Sequence, residues 1–229
     1  MKPTDEQASA WTEAFDSGKF VRKSSEFRDS ISKGGVFDVE SGRYHLYISH
    51  ACPWAHRTLI MRTLLGLEDH ISVDVVDWRM NADGSWSFNP DEEGATADTV
   101  NGESSLEGIY NRAFEGWNES RSIGTVPVLW DKKHATIVNN ESREIIRMFD
   151  QFSKEGFGNG ATLCPPELMQ EIDNMIDANY ESINNGVYKS GFARTQEAYD
   201  EAVTALFERL DQLEAHLDGR RSEEHTSEL

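Results

Sequence analysis

One cysteine of this sequence stands in a context that favours nucleophilic chemistry. Cys52 lies in the segment Ser49-His50-Ala51-Cys52-Pro53-Trp54-Ala55, after a strand-like pattern and before a helical one. Pro53 suits the first position of a helix, where its missing N–H group costs nothing. At such a position, exposed N–H groups and the helix dipole stabilise a thiolate and lower the pKa of the thiol. We therefore predict that Cys52 is a nucleophile; the alternative is a buried structural cysteine, the usual role of an isolated cysteine.

Ala55 stands where a second cysteine would complete a Cys-x-x-Cys pair. A pair of that kind resolves a mixed disulfide internally, whereas a single thiol depends on an external one. We therefore expect that any mixed disulfide on Cys52 is released by a thiol from solution.

Two further segments have residue types that could hold a ligand beside this thiol. Val126-Pro127 begins a strand-like run in which proline is poorly tolerated, and a cis bond there would present the Val126 backbone to a ligand. Glu141 and Ser142 precede a helical pattern and are interpreted either as a helix cap or as a binding pair. As a pair, Ser142 and the helix N-terminus would bind a carboxylate and Glu141 an ammonium group. The γ-glutamyl end of glutathione carries both groups.

The hydrophobic patterns around these residues predict two domains. Strand-like and helical patterns alternate in the order β-α-β, α, β-β-α, at residues 43–49, 54–67, 71–76, 104–117, 125–130, 135–138 and 143–152. This is the order of a thioredoxin-like α/β domain, which we assign to residues 36–155, with residues 1–35 as an N-terminal extension that covers it. After a linker with glycine and proline, residues 166–219 form helices and are assigned to a partial all-helical domain.

The charge and the apolar content of the chain exclude several classes of binding partner. The 229 residues carry a formal net charge of -19, which repels phosphate backbones and anionic membranes. Apolar runs of the roughly 20 residues that span a bilayer are not found, and the polar first ten residues do not resemble a secretory signal, so we expect a cytoplasmic protein. Cys52 and Cys164 are the two cysteines, and we expect neither a disulfide nor a metal site.

Several segments together resemble the glutathionyl-hydroquinone reductases, which are the Xi class of glutathione transferases. The resemblance extends from about Trp11 to Leu217. The segments that carry it are Ser49-His50-Ala51-Cys52-Pro53-Trp54-Ala55-His56-Arg57, Gly84-Ser85-Trp86, Thr125-Val126-Pro127-Val128-Leu129-Trp130, Asn140-Glu141-Ser142, Phe20-Val21-Arg22 and Asn185-Gly186-Val187-Tyr188-Lys189.

The resemblance implies a reaction and a set of site residues. The co-substrate would be glutathione, and the protein would have no tightly bound cofactor. The residues that hold glutathione would be Trp86, Val126, Glu141 and Ser142. Cys52 would attack the sulfur of a glutathionyl-hydroquinone after Tyr188 protonates the ring carbon, and a second glutathione would release the mixed disulfide. Without the resemblance, Tyr188 is better interpreted as a packing residue of a helical domain.

The resemblance also leaves alternatives open. The chain could be a broader monothiol transferase of the omega type, or a fragment that binds glutathione without turnover. A homodimer is left open as well. Because members of the family continue further, we expect the all-α domain of glutathione-transferase type to be incomplete and residues 220–229 to be a non-native tail.

Overall fold

A computed structural model describes residues 15–16, 18–22, 24–81, 84–117 and 124–218. The predicted non-native tail, 220–229, and the first fourteen residues of the expected N-terminal extension lie outside the described residues. The chain divides into two compact units. Within the described residues, one unit comprises 24–165 and the other comprises 15–22 together with 166–218.

The first unit is an α/β unit built on a four-stranded mixed sheet. The strands lie in the order β4 (Ile71–Val76), β3 (Tyr44–Ser49), β5 (Val128–Asp131) and β6 (Thr136–Asn139). Strand β3 pairs parallel to β4 and antiparallel to β5, and β5 pairs antiparallel to β6. The elements, in chain order, are β3 (Tyr44–Ser49), α1 (Pro53–Leu64), β4 (Ile71–Val76), α2 (Leu106–Ala113), β5 (Val128–Asp131), β6 (Thr136–Asn139) and α3 (Ser142–Lys154). This order agrees with the predicted thioredoxin-like topology.

Burial explains why the central strand forms where it does. All six residues of β3 are buried, as expected for a strand covered on both faces. Helix α3 contributes Ile145, Phe149 and Phe152 to the same core, and all three side chains are fully buried. The sheet therefore has a rigid centre from which the loops at its edges extend.

Helix α1 is fixed at its C-terminal end by a distant turn. The backbone N–H of Asn159 donates to the Leu65 carbonyl at 3.0 Å, and its side-chain amide donates to the Leu64 carbonyl at 2.9 Å. Gly158 is required beside them, since a Cβ atom there would lie 2.1 Å from the Leu65 carbonyl oxygen. Carbonyls that a helix end leaves without intrahelical partners are satisfied in this way.

The second unit is helical, and a short N-terminal hairpin belongs to it. The hairpin strands pair antiparallel, and Phe20 is buried against Tyr188 and Phe192 with ring centroids 6.3 and 5.4 Å away. Part of the segment expected to cover the α/β domain thus groups with the helices instead. The elements are β1 (Phe15–Asp16), β2 (Lys19–Phe20), a 3-10 turn (Pro166–Leu168), α4 (Met169–Asn179), a π-helical turn (Tyr180–Asn184), α5 (Gly186–Phe192) and α6 (Gln196–Leu217).

The helices of the described residues were also compared with the requirements of a membrane span. Among them, none combines the length and the apolar character that crossing a bilayer requires.

Candidate active site

Three chain segments meet at one edge of the sheet. The register pairs Tyr47 of β3 with Val128, so the end of β3 lies beside the start of β5. The pairing of Leu129 with Asn139 brings the end of β6 to the same edge. Loops that carry Cys52, Val126 and Glu141 continue from these three strand ends, so the sheet brings these three residues to the same edge.

Cys52 occupies the N-cap position of α1. Its backbone is extended, at φ -101° and ψ 112°, and its carbonyl accepts the N–H of His56 at 3.0 Å, which starts the helix. The thiol is half-buried, makes no capping bond to the helix, and donates to the Val126 carbonyl at 3.5 Å. Ser49 shapes the preceding turn, since its hydroxyl accepts the N–H of Ala51 at 3.3 Å and donates to the Asp77 carbonyl at 3.1 Å. The sulfur therefore lies at the start of α1, within hydrogen-bonding distance of the Val126 carbonyl.

Val126 and its neighbours are supported from below by a buried tyrosine. The Val126-Pro127 peptide bond is cis. The Tyr110 hydroxyl donates to the Thr125 carbonyl at 2.8 Å and accepts the Asn140 side-chain amide at 3.0 Å. Burial raises the pKa of Tyr110, so the phenol remains a neutral donor at physiological pH. This network joins the loop before β5 to the loop after β6.

Glu141 is the N-cap of α3. One carboxylate oxygen accepts the N–H of Arg143 at 3.2 Å, and the other accepts the hydroxyl of Ser25 at 3.1 Å. The interpretation of Glu141 as a helix cap therefore agrees with the structure. A carboxylate has about four acceptor positions, and the Glu141 side chain is 21% exposed, so a capping carboxylate can also accept a hydrogen bond from a ligand.

Ser142 is buried and is held by an arginine that sequence analysis left without a role. Arg57 of α1 donates to the Ser142 hydroxyl oxygen twice, from Nε at 2.9 Å and from Nη2 at 2.6 Å. Its guanidinium lies 5.0 Å from the ring centroid of Trp54 and 3.6 Å from a carboxylate oxygen of Glu141. Arg57 was quoted in the motif, but nothing in the sequence indicated a partner 85 residues away.

Trp86 is anchored in the loop between β4 and α2. Its backbone N–H donates to a carboxylate oxygen of Glu107 at 3.3 Å, and its backbone carbonyl accepts the N–H of Leu106 at 2.9 Å. The side chain is partly buried against the hydrophobic core. Contact of Trp86 with glutathione stays a prediction.

Tyr188 lies on α5, in the helical unit. The Arg22 guanidinium lies 4.4 Å from its ring centroid, and Arg22 Nε donates to the buried side chain of Asn185 at 2.7 Å. The packing interpretation of Tyr188 thus has a structural basis, and its role as a proton donor stays a prediction.

Two histidines flank Cys52 in the sequence, and Cys164 is the second cysteine. His50 and His56, which flank Cys52, are both exposed. Cys164 is buried and contacts Arg147, and the two cysteines, both in the described part of the chain, form no disulfide. Across the described ranges, His, Cys, Asp and Glu side chains form no group of three or more that could hold a metal ion.

Comparisons with known proteins agree with this geometry. The family model described as glutathione S-transferase, N-terminal domain, matches residues 51–151. The glutathionyl-hydroquinone reductase PcpF of Sphingobium chlorophenolicum is 46% identical over 212 residues, which cover 92% of this chain and 66% of that protein. The glutathionyl-hydroquinone reductase YqjG of Escherichia coli is 47% identical, with 89% of this chain and 63% of that protein covered. The chain thus spans 63 to 66% of the length of these two curated relatives.

Solved structures extend the likeness to the fold. The glutathione-S-transferase Xi of Phanerochaete chrysosporium superposes with a TM-score of 0.81 at 47% identity, covering 87% of this chain and 67% of that one. The glutathione-bound structure of YqjG gives a TM-score of 0.78 at 45% identity, covering 86% and 65%. These likenesses confirm the predicted fold class, a thioredoxin-like α/β domain followed by helices.

Proposed function

The chain belongs to the Xi class of glutathione transferases, and from this premise we propose that it reduces S-glutathionyl-hydroquinones to hydroquinones at the expense of glutathione. The observation that carries the proposal is the position of Cys52. Its single thiol lies at the N-terminus of α1, 3.5 Å from the Val126 carbonyl, at the sheet edge where Glu141 and Ser142 also lie. The relatives named as reductases of these conjugates support the choice of substrate.

The proposed binding mode divides glutathione between three groups of residues. Val126 pairs through its backbone with the cysteinyl part, which brings the glutathione sulfur toward Cys52. Glu141 binds the ammonium and Ser142 the carboxylate of the γ-glutamyl end, with α3 adding its helix N-terminus. Trp86 closes the site from the loop before α2.

The proposed reaction has two stages. Tyr188 protonates the ring carbon that carries sulfur, and the Cys52 thiolate then attacks the glutathione sulfur. The carbon–sulfur bond breaks with its electron pair passing to the ring, so the hydroquinone leaves and Cys52 remains joined to glutathione by a disulfide. A second glutathione gives its thiol proton back to Tyr188, and its thiolate attacks this disulfide. Glutathione disulfide leaves, and the Cys52 thiolate is restored.

The proposal includes partners, location and domain limits. The ligands are glutathione and small aromatic glutathione conjugates, and a homodimer is the assembly to test. A thiol that depends on external glutathione suits the reducing cytoplasm. We assign glutathione binding to residues 36–155, and we assign residues 166–219 to a partial all-helical domain.

The test is turnover of a glutathionyl-hydroquinone with free glutathione, followed by chromatography of the released hydroquinone. We expect release by the unmodified chain and by Cys164→Ala, which removes the other cysteine, and no release by Cys52→Ala. Mass spectrometry of the chain, treated with the conjugate alone, should show one glutathione attached at Cys52. Hydroquinone release that persists in Cys52→Ala would contradict the proposal.

The same assay separates the alternatives. Turnover of a simple mixed disulfide without turnover of the conjugate would indicate a broader thiol transferase. Binding of glutathione without product from either substrate would indicate a glutathione-binding unit alone.

A further inference from the structure

Arg57 joins the helix of the nucleophile to both residues proposed to hold the γ-glutamyl group. It lies one turn and a half after Cys52 on α1, and its side chain reaches the start of α3. There it donates twice to the Ser142 oxygen, at 2.9 and 2.6 Å, and lies 3.6 Å from Glu141. We propose that Arg57 is a positioning residue for glutathione, which sets the hydrogen-bonding direction of Ser142 and balances the charge of Glu141. This inference rests on the proposed function, because it assigns the same γ-glutamyl subsite.

Arg57 acts first on the hydroxyl of Ser142, which accepts both of its hydrogen bonds. A serine hydroxyl has two acceptor lone pairs and one hydrogen. The two donors of Arg57 occupy the acceptor side of this oxygen, so Ser142 can serve a ligand only through its hydrogen. A group that accepts but does not donate fits that arrangement, and an ionised carboxylate is such a group. Arg57 thus favours a carboxylate over an amide at Ser142, because an ionised carboxylate accepts a stronger hydrogen bond from the hydroxyl than a neutral amide oxygen does.

Arg57 also balances the negative charge of Glu141. Glu141 would repel a ligand carboxylate placed beside it, and the chain as a whole carries a formal net charge of -19. Glutathione is itself an anion at neutral pH, since it has two carboxylates and one ammonium group. A guanidinium 3.6 Å from the Glu141 carboxylate offsets this repulsion locally. Glu141 and Arg57 together then present one charge of each sign to a zwitterionic α-amino acid group.

The Arg57 side chain lies between solvent and the buried Ser142 hydroxyl. The side chains of Arg57 and Glu141 are 26% and 21% exposed, whereas the residue Ser142 is only 2% exposed. The guanidinium therefore borders solvent on one side and holds a buried hydroxyl on the other. The guanidinium also lies over the Trp54 ring, 5.0 Å from its centroid, which adds a cation–π contact. A planar fork held in this way loses little further entropy when a ligand binds.

A purely structural role for Arg57 is the competing explanation. The residue could simply fasten α1 to α3, in which case its loss would destabilise the unit and weaken every ligand equally. The two explanations differ in their dependence on Ser142 and on the ligand carboxylate, and the experiment uses both differences.

The variants are Arg57→Gln, Arg57→Lys, Ser142→Ala and the double variant Arg57→Gln/Ser142→Ala, prepared in the full chain. Arg62→Gln is the matched control, because Arg62 lies on the same helix but donates to the carbonyls of Ile71 and Glu68. The probes are glutathione and its analogue with a carboxamide in place of the γ-glutamyl α-carboxylate. Calorimetry gives the dissociation constants, and thermal unfolding gives the stability of each variant.

We expect Arg57→Gln to raise the dissociation constant for glutathione about tenfold, in line with the loss of a charge-assisted contact. In the Ser142→Ala background the same change should cost only about threefold, since part of its effect acts through that hydroxyl. Arg57→Lys should fall between, because it keeps the charge and loses the fork. Wild type should prefer glutathione over the carboxamide analogue, and Arg57→Gln should lose most of that preference.

Other results would overturn the inference. These are equal binding of glutathione by Arg57→Gln and wild type, additive effects in the double variant, or an unchanged preference for the carboxylate. A loss of affinity matched by Arg62→Gln at equal loss of thermal stability would assign Arg57 a structural role. The proposed function fails separately, if wild type binds glutathione but releases no hydroquinone from the conjugate.

Discussion

The α/β unit and the helical unit differ in how they bury their apolar side chains. Helix α3 buries seven of its thirteen residues, whereas α6, described over all its 22 residues, buries Ala198. Large apolar side chains of α6 face outward instead, with Phe207 60% and Tyr199 43% exposed. The residues around Cys52 thus stand on a unit with its own core, while the helical unit depends more on local helix contacts. Amides of the α/β unit should accordingly open less often.

The largest expected difference comes from truncating one phenylalanine in each unit. Phe149→Ala removes a fully buried side chain of α3 and should lower the free energy of unfolding by about 3 to 5 kcal/mol. Phe207→Ala should change it by about 0.5 kcal/mol or less, because the ring is 60% exposed. Urea unfolding measures both changes: tryptophan fluorescence reports the α/β unit, since five of the six tryptophans lie from Trp54 to Trp130, and far-ultraviolet circular dichroism reports the helical unit. Equal losses in the two variants would erase the distinction between the units.

The second difference comes from ion pairs. Asp131 and Arg43 are both buried and joined by two hydrogen bonds of 2.8 and 2.7 Å. Asp131→Asn would remove the buried carboxylate and leave the Arg43 guanidinium with the more exposed Glu40, 3.6 Å away, and should cost about 3 kcal/mol. Glu181→Gln removes a partner of Lys189 in a pair whose side chains are 64% and 36% exposed, and should cost less than about 1 kcal/mol. Urea unfolding followed by fluorescence and by far-ultraviolet circular dichroism reports both.

The pH dependence of stability provides an independent check on the buried pair. Burial of Asp131 opposes ionisation, but hydrogen bonds from Arg43 and His134 outweigh it and lower the pKa from 3.8 to about 2. A depressed pKa stabilises the fold above the unfolded value, and this contribution, about 2 kcal/mol, is lost as the pH falls from about 4 to 2. Asp131→Asn should flatten stability over that interval. An unchanged slope would show that other carboxylates govern acid unfolding.

The smallest expected difference concerns a single hydroxyl. Tyr110→Phe removes the bonds to Thr125 and Asn140 beneath Val126, and should cost about 1 to 2 kcal/mol while weakening glutathione a few-fold. Tyr199→Phe, at a ring 43% exposed in the helical unit, should leave both quantities nearly unchanged. Thermal unfolding and calorimetry with glutathione test the pair. A large effect of Tyr199→Phe would contradict the comparison.

The sequence predicted most of the α/β unit because its signals are local. The strand at 71–76 agrees with β4, and the strand at 43–49 and the helix at 54–67 agree with β3 and α1 to within three residues. Alternation and proline placement act within a few positions, so they are readable from one chain. The neighbourhood of Cys52 and Val126 followed from the topology for the same reason.

Contacts between distant segments could not be predicted. Arg57 and Ser142 are 85 positions apart, and only the packing of α1 against α3 brings them together. The hairpin formed by β1 and β2 consists of two-residue strands, too short for a hydrophobic pattern. The π-helical turn at Tyr180–Asn184 likewise reads as continuous helix in sequence.

The turn at Gly158 and Asn159 has a mechanical consequence for the thiol. A twelve-residue helix is about 18 Å long, so α1 acts as a stiff rod between this turn and Cys52. Both ends are attached, one to the Val126 carbonyl and the other to Asn159. A displacement of this turn along the axis of α1 would therefore also displace the Cys52 sulfur. A displacement across the axis would be resisted by the sheet against which the helix packs.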